Sequence, residues 1–381
     1  MRICIDLSPA VHHRAGIGRY AQELTAALLQ IATKNEYIAF YNCSAQVQIE
    51  PPLDSIPHLP LGLPDKPWRL RVLLAQLLHR SQDNLFRGVD LFHATDHLLP
   101  SLSHVRSVFT LHDLTFRLYS QAHNVWNRWF LSLMMPRFLR TADAIVADSA
   151  CTQRDAARLY RVDIARVNVI YPGVSVHFRP ADPQVVQAIR KKYGLPERFI
   201  LYVGTIEPRK NLTALLEAFR HLLATCSPLP ATCSLRLVIV GKKGWLYEGV
   251  FRRLRELGLE DRVHFTGYVP DGDLPALYSA ASVFVFPSLY EGFGLPVLEA
   301  MACGTPVIAS NTSSLPEVVG EAGLLVNPHD IHTLVAALKR VLADEHLRAE
   351  MKAQGLERAQ AFTWERTARE TLRVYEEVLR R

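Results

Sequence analysis

The segment Glu291-Gly-Phe-Gly-Leu-Pro-Val-Leu-Glu299 holds two carboxylates separated by seven residues, around a turn that two glycines and a proline can make. Gly292 and Gly294 permit a tight bend, and Pro296 suits the first turn of a helix. Glu291 is then expected on a loop and Glu299 in the opening turns of the helix. The amides of Phe293, Gly294 and Leu295 between them lack intrahelical acceptors, which makes a site for an anion or a hydroxyl. A carboxylate facing that site can accept both hydroxyls of a sugar diol. Acids at a helix start also suit the macrodipole, but the Gly-Phe-Gly-Leu-Pro spacer favours ligand chemistry.

A second motif is Tyr202-Val-Gly-Thr-Ile-Glu-Pro-Arg-Lys-Asn-Leu212. A strand is expected to end at Gly204, and Arg209-Lys210 to open the next helix. Two cations at a helix N-terminus suit a diphosphate, because dipole, amides and formal charge act together. Early in the chain, Ala15-Gly16-Ile17-Gly18-Arg19-Tyr20-Ala21 has the spacing of a dinucleotide fingerprint. Gly16 comes about eight residues after the first strand instead of directly after it, and the second strand ends Phe40-Tyr41-Asn42 with no acid for a ribose. Gly16 and Gly18 are therefore read as letting backbone amides approach a phosphate. His112, in Thr110-Leu-His-Asp113, ends a strand and is expected to face the ligand.

Other polar groups have simpler explanations. His93, Asp96 and His97 lack a further spaced set of ligands, and loop polarity accounts for His12-His13, so no metal is expected. Asp271-Gly-Asp273 lies between Pro270 and Leu274-Pro275, where a turn and a helix cap explain both acids. In the helix Trp68–Arg80, Leu70, Leu73, Leu74, Leu77 and Leu78 share a face, with Arg69, Arg71 and Arg80 elsewhere. That face could meet an anionic membrane, but packing against its own sheet is favoured. The same reading is given to Trp126, Trp129, Phe130, Leu133 and Met134.

These residues need a frame. Short apolar strands alternate with helical stretches, which argues for an α/β fold with parallel sheets. Strands are expected near Arg2–Leu7, Tyr37–Tyr41, Leu91–His93, Ser107–Leu111, Ala144–Ala147 and Asn168–Ile170. Helices are expected at Gly18–Ile31, Trp68–Arg80, Val125–Arg140 and Thr152–Tyr160. Five prolines make Glu50–Lys66 a long surface loop. After an irregular Pro172–Pro183 the alternation restarts, with strands at Phe199–Val203, Leu235–Val240, Val263–Phe265, Val283–Phe286, Thr305–Ala309 and Gly323–Val326. Two Rossmann-like domains are expected, 1–178 and 179–364, with ligands in the cleft between them.

The 381 residues, 49% hydrophobic and 21% charged, exclude disordered and collagen-like chains. No apolar run reaches the roughly 18 residues of a membrane span, and the N-terminus begins as a strand with no leader. A cytoplasmic protein is expected. Cys4, Cys43, Cys151, Cys226, Cys233 and Cys303 include no C-x-x-C pair and read as reduced thiols. Of the net charge of +6, residues 1–180 hold 19 basic against 14 acidic groups, a surplus of +5. With no basic run or stacking motif, nucleic acid is not expected; a phosphorylated or membrane-surface partner is.

Taken together, the motifs resemble the retaining glycosyltransferases of family 4, over nearly the whole chain. The resemblance rests on the Gly-Ile-Gly loop, Leu111-His112-Asp113, Glu207-Pro-Arg-Lys-Asn211, the Glu291/Glu299 pair and Met301-Ala-Cys-Gly-Thr-Pro306. It implies a GT-B fold, two Rossmann-like domains facing a central cleft. A nucleotide-sugar donor would bind the C-terminal domain, and a glycan or lipid-linked acceptor the basic N-terminal one. Glu299 would hold the donor ribose. Arg209, Lys210, Gly16, Gly18, Thr205 and the Leu295 amide would hold the diphosphate. Glu291, Phe293, Gly294 and His112 would hold the sugar, with Glu291, His112 and Lys210 as the catalytic set. Tyr268 and Val269 would border the base. A final helix, about 365–381, would complete the first domain. Many relatives carry Arg where this chain has Thr205, so Arg209 would take over that role. No metal or cofactor is implied.

The pattern is most similar to bacterial mannosyltransferases of polysaccharide and glycolipid assembly, which favours GDP-mannose; UDP-glucose, UDP-GlcNAc or another UDP-sugar is the alternative donor. Gly16-x-Gly18 leaves a nicotinamide-dependent oxidoreductase open, and a GT-B-type nucleotide-sugar epimerase or a non-catalytic sugar-nucleotide binder is the third reading.

Overall fold

The computed structural model describes residues 1–43, 47, 49–122, 124–225 and 235–381. Each apolar run bounded by turn residues becomes a short parallel strand. In the first half these are Arg2–Asp6 (β1), Glu36–Asn42 (β2), His58–Leu61 (β3), Leu91–Ala94 (β4), Arg106–Leu111 (β5), Ala144–Ala147 (β6) and Val167–Val169 (β7). They form one sheet in the order β3-β2-β1-β4-β5-β6-β7. Ile3 pairs with Tyr37 on one side and Leu91 on the other. The second sheet holds Phe199–Val203 (β8), Arg236–Val240 (β9), Val263–Gly267 (β10), Val283–Phe286 (β11), Val307–Ser310 (β12) and Leu324–Val326 (β13), in the order β10-β9-β8-β11-β12-β13. Each order reverses once, beside β1 and beside β8, and the carboxyl ends of strands at such a reversal form a ligand crevice.

Both faces of the first sheet are covered, so the middle residues of its central strands β1, β4 and β6 are buried. Alternation splits β1: Ile3 and Ile5 pack with Tyr20, Leu24, Trp364 and Tyr375, while Cys4 packs with Phe40, Trp68, Phe92, Phe109 and Phe138. The chain divides into two units. One comprises 1–118, 125–173 and 363–381; the other comprises 119–124 and 174–362. Thr363 caps the last helix, Trp364–Arg380, by accepting from the Arg366 amide at 3.2 Å. That helix lies in the first unit, where the Tyr375 hydroxyl meets His93 Nδ1 at 2.6 Å.

Three local expectations are corrected. The proline-rich segment is not wholly loop: His58–Leu61 pairs with β2, and Pro60 is tolerated because β3 is the sheet edge. The early glycines lie in no loop, because the helix begins at Ala15 and places Gly16 and Gly18 in its first turns. Of the leucine stripe in the helix Asp65–Leu77, Leu73 packs partly against the core while Leu70, Leu74, Leu77 and Leu78 are exposed; Trp68, Val72, Ala75 and Gln76 are the buried residues. Trp126 and Trp129 are likewise exposed, while Phe130 and Met134 are buried. Asp271 and Asp273 form a tight turn, and Asp273 is held by Lys192 at 2.6 Å and Tyr193 at 2.5 Å. Cys4, Cys43, Cys151 and Cys303 form no disulfide; Cys226 and Cys233 fall outside the described residues.

Candidate active site

In the second unit, β8 delivers its motif through Gly204, whose φ of +155° is open chiefly to glycine; a Cβ there would stand 2.7 Å from the Tyr202 hydroxyl. The chain then makes a tight turn at Pro208–Lys210 and starts the helix Leu212–Thr225 one residue later, so Arg209 and Lys210 precede that helix instead of opening it. Asn211, left-handed at φ 57°, pins this turn to the segments after β11 and β13: its side-chain amide donates to Pro287 O at 3.2 Å and Pro328 O at 2.8 Å.

That loop carries Glu291 to the two cations. Lys210 Nζ lies 2.7 Å from one carboxylate oxygen, and Arg209 Nη1 lies 2.9 Å from the other. All three are buried or nearly so. Burial alone would raise the Glu291 pKa, but Arg209 and Lys210 outweigh it and hold the carboxyl below its usual range. Burial, with Arg209 beside it, lowers the Lys210 pKa, and Glu291 opposes that shift. Arg209 also donates to Tyr290 O at 2.6 Å and to Glu207 at 2.7 Å, so its fork is used to shape the loop. Lys210 makes one such bond, which leaves ammonium donors for a ligand. Ser313 and Ser314 hold the loop from behind: the Glu291 amide donates to Ser313 at 2.9 Å, and the Ser314 hydroxyl lies 2.7 Å from Phe293 O.

The loop enters the helix Leu295–Ala302 through Gly294, at φ +114°, where a Cβ would meet Leu315 at 2.7 Å. The Val297 amide bonds to Gly294 O, so the Leu295 amide stands ahead of the first closed turn. Glu299 is buried in this helix and receives the Tyr278 hydroxyl at 2.9 Å. At the end of β8, Thr205 O accepts from Tyr202 at 3.2 Å. After β10, Val269 is buried and Tyr268 is exposed, with Lys242 Nζ 4.5 Å from its ring centre. The structure thus joins Glu291, Arg209 and Lys210 directly, while Glu299 has its own partner and Tyr268 and Val269 lie at another strand end.

His112 belongs to the first unit, directly after β5. Its Nδ1 lies 2.6 Å from Asp148, after β6, and its Nε2 lies 2.8 Å from Thr95 O, after β4. Both ring nitrogens face acceptors. Burial works against charge on the ring, and Asp148 outweighs it, raising the His112 pKa to about 9. Next to it, burial lowers the His93 pKa to about 3 and raises that of Asp6 to about 7. Asp96 pairs with Arg14, which also bonds Asp65 at 2.7 Å. Gly16 is exposed with open space beyond its Cα, whereas a Cβ on Gly18 would be 2.9 Å from Pro9 O. Among the described residues no three His, Cys, Asp or Glu side chains could hold a metal together.

Sequence reasoning missed Asn211, Ser313, Ser314, Tyr278 and Asp148. Only Asn211 had a signal, as a residue that tolerates left-handed backbone after a helical turn.

Residues 14–178 match the family "Glycosyltransferase Family 4", and residues 185–358 match "Glycosyl transferases group 1". The chain is 32% identical to the O-antigen chain mannosyltransferase B of Escherichia coli, over 98% of this chain and 99% of that one. The chain belongs to the family 4 glycosyltransferases. This glycosyltransferase superposes on sucrose-phosphate synthase from Thermosynechococcus elongatus with a TM-score of 0.79, at 26% identity over 99% of both chains. Anabaena HepE in complex with UDP-glucose, 19% identical over 99% of this chain and 100% of that one, shares the fold at a TM-score of 0.74. The fold is GT-B and the enzyme a hexosyltransferase, which removes the oxidoreductase suggested by Gly16-x-Gly18. Among the described residues no helix is long and apolar enough to cross a membrane.

Proposed function

We propose that this glycosyltransferase moves mannose from GDP-mannose to a hydroxyl of a glycan or lipid-linked acceptor, with retention at the anomeric carbon. The product would enter a cell-surface polysaccharide or glycolipid, and the reaction would run in the cytoplasm. The full-length similarity to an O-antigen mannosyltransferase supports the sugar and the acceptor class. The observation that carries the chemistry is the 2.7 Å contact of Lys210 Nζ with Glu291, on a loop that runs into the helix Leu295–Ala302.

On this reading Lys210 and the Leu295 amide take the charge that develops on the leaving diphosphate. Glu291 has two oxygens and about four lone-pair sites, of which the cations take two, so sugar hydroxyls can bind the rest. Arg209 positions Glu291 and the turn. Glu299, fixed by Tyr278, accepts the ribose hydroxyls. Tyr268 and Val269 border the base, and Gly16 and Gly18 let first-turn amides approach the diphosphate. His112, held as an imidazolium, offers charge and N–H groups toward the sugar, sharing those that now face Asp148 and Thr95. The leaving phosphate takes the acceptor proton on the face it departs from. With charge supplied by protein groups, no metal is required.

The test is transfer from GDP-mannose to a mannose-terminated oligosaccharide, with and without EDTA, reading the new linkage by NMR. An α-linked product in both conditions is expected. Transfer from UDP-sugars alone would overturn the donor, a β-product the retention, and loss in EDTA restored by a divalent ion the metal-free step.

A further inference from the structure

Among the described residues other than glycine, His13, His79, Arg161, Asn211, Leu246 and Ser313 have left-handed backbone. Arg161 closes the helix Ala150–Tyr160, where such a residue is common, and asparagine tolerates the region. Ser313 has neither reason. It stands at φ 56° between β12 and the helix Leu315–Val319, and it ends no helix. The Cβ of an L residue crowds its own backbone there, and glycine would relieve the strain. Glycine lacks only the hydroxymethyl group, so the hydroxyl is where a reason for serine must lie.

That hydroxyl makes two bonds. It donates to Thr312 O at 2.7 Å and accepts from the Glu291 amide at 2.9 Å. A hydroxyl has one proton, and giving it to Thr312 leaves the lone pairs for the amide. The flanking residues hold carbonyls of the same loop: Thr312 donates to Leu289 O at 3.1 Å, and the Ser314 hydroxyl lies 3.0 Å from Glu291 O. A carbonyl that loses such a bond has a second lone pair to use. The Glu291 amide has a single proton, on a residue 7% exposed, and Ser313 takes it. Glu291 is thus fixed at its carboxylate by Arg209 and Lys210, and at its amide by Ser313.

We propose that Ser313 is a positioning residue for sugar transfer. Its strained backbone brings the hydroxyl to the Glu291 amide, and that bond sets where the carboxylate meets the donor sugar. Stability is lost at Ser313 so that Glu291 is aimed. The inference rests on the assignment of Glu291 to the sugar and is independent of which base or hexose the donor carries.

The experiment compares Ser313→Gly, Ser313→Ala and Ser313→Thr with wild type. The readouts are thermal midpoint, affinity for the nucleoside diphosphate alone, and kcat and KM with whichever nucleotide-sugar wild type transfers. Threonine keeps the hydroxyl while its branched Cβ adds strain, so it should melt lower yet hold kcat within about twofold. Glycine and alanine both lose the hydroxyl, and kcat should fall at least about tenfold in each, the scale of a misaimed reacting group. Glycine, free of strain, should melt above alanine and threonine. Affinity for the nucleoside diphosphate should stay within about twofold throughout. Melting and turnover then rank glycine and threonine in opposite orders, which a purely structural residue would not do. If threonine fails to fold, equal kcat losses in glycine and alanine at unequal midpoints support the proposal. Turnover that follows the midpoint, wild-type turnover in Ser313→Gly, or nucleoside diphosphate affinity that falls as far as kcat would overturn it. Glu291→Gln, which keeps the amide bond, separates the two assignments. Near-normal turnover there would remove the role of Glu291 itself, whereas an inactive Glu291→Gln beside an active Ser313→Gly would remove the positioning alone.

Discussion

Both units gather ionised groups at the carboxyl ends of a parallel sheet, but they balance them in opposite ways. In the second unit Glu291 is shared by Arg209 and Lys210, ahead of the helix Leu295–Ala302 with its Leu295 amide at the start. That arrangement suits a diphosphate. In the first unit Asp148 holds His112, and Asp65 and Asp96 share Arg14. Carboxylates prevail there, although this is the half with the positive surplus. Lys66, Arg69, Arg71 and Arg80 lie in or beside the helix Asp65–Leu77, whose first residue, Asp65, holds Arg14. Net charge is therefore a poor guide to what a unit's site binds.

The sharpest way to break this contrast is to remove the cation that retains open donors. Lys210→Ala should lower kcat about 10³-fold, the scale of losing one preorganised charge on a transition state. The variant should fold, with Arg209 still on Glu291. Turnover within tenfold of wild type would show that the diphosphate is stabilised elsewhere.

In the first unit the matching change is Asp148→Asn, read as stability against pH. The folded His112 pKa of about 9 stands above the unfolded value of about 6.5. The pair's stabilisation is therefore fully present below pH 6.5 and is lost as pH rises through 9. Breaking a buried pair costs about 3 kcal/mol, so urea midpoints should differ most at pH 6 and converge by pH 10. Asp6 and Asp113 remain in both proteins and cancel in the difference. A pH-independent gap would mean that His112 is neutral in the folded protein.

Glu299→Ala comes next. Loss of a hydrogen-bonded carboxylate at the ribose should weaken nucleoside diphosphate binding by roughly 2 kcal/mol, measured by calorimetry. Tyr278→Phe, which removes that hydrogen bond and keeps the carboxylate, should cost less. Equal effects would assign Glu299 to the packing of its helix.

The fold was legible where a run of apolar residues has one reading. Phe199–Val203 and Val283–Phe286 are buried along their whole length, as parallel strands covered on both faces are. It was illegible where a sequence satisfies two patterns at once. Leu70, Leu74 and Leu77 repeat at helical spacing as well as Trp68, Val72 and Ala75 do, and only the sheet beneath decides which stripe is inside. Pro60 argues against a strand until an edge is available. At the site, Glu291 and the Arg-Lys pair could be picked out by local chemistry. Their junction depends on Asn211 reaching Pro287 and on Ser313 behind the loop, contacts between distant segments that no local pattern encodes.

The smallest effects come from two glycines that look alike in the sequence. Gly294 sits at φ +114° with Leu315 in the way of any side chain, so Gly294→Ala strains the turn that aims Glu291. A loss of about 1–2 kcal/mol is expected, with reduced turnover as the loop shifts. Gly16 lies in a helical turn with open space, so Gly16→Ala removes backbone entropy from the unfolded chain and should stabilise by about 0.5–1 kcal/mol. If Gly16 also lets a donor phosphate approach, the same variant will bind nucleoside diphosphate more weakly while melting higher. Stabilisation with unchanged nucleotide affinity would place the diphosphate wholly on the second unit, and the contrast between the two strand ends would then be complete.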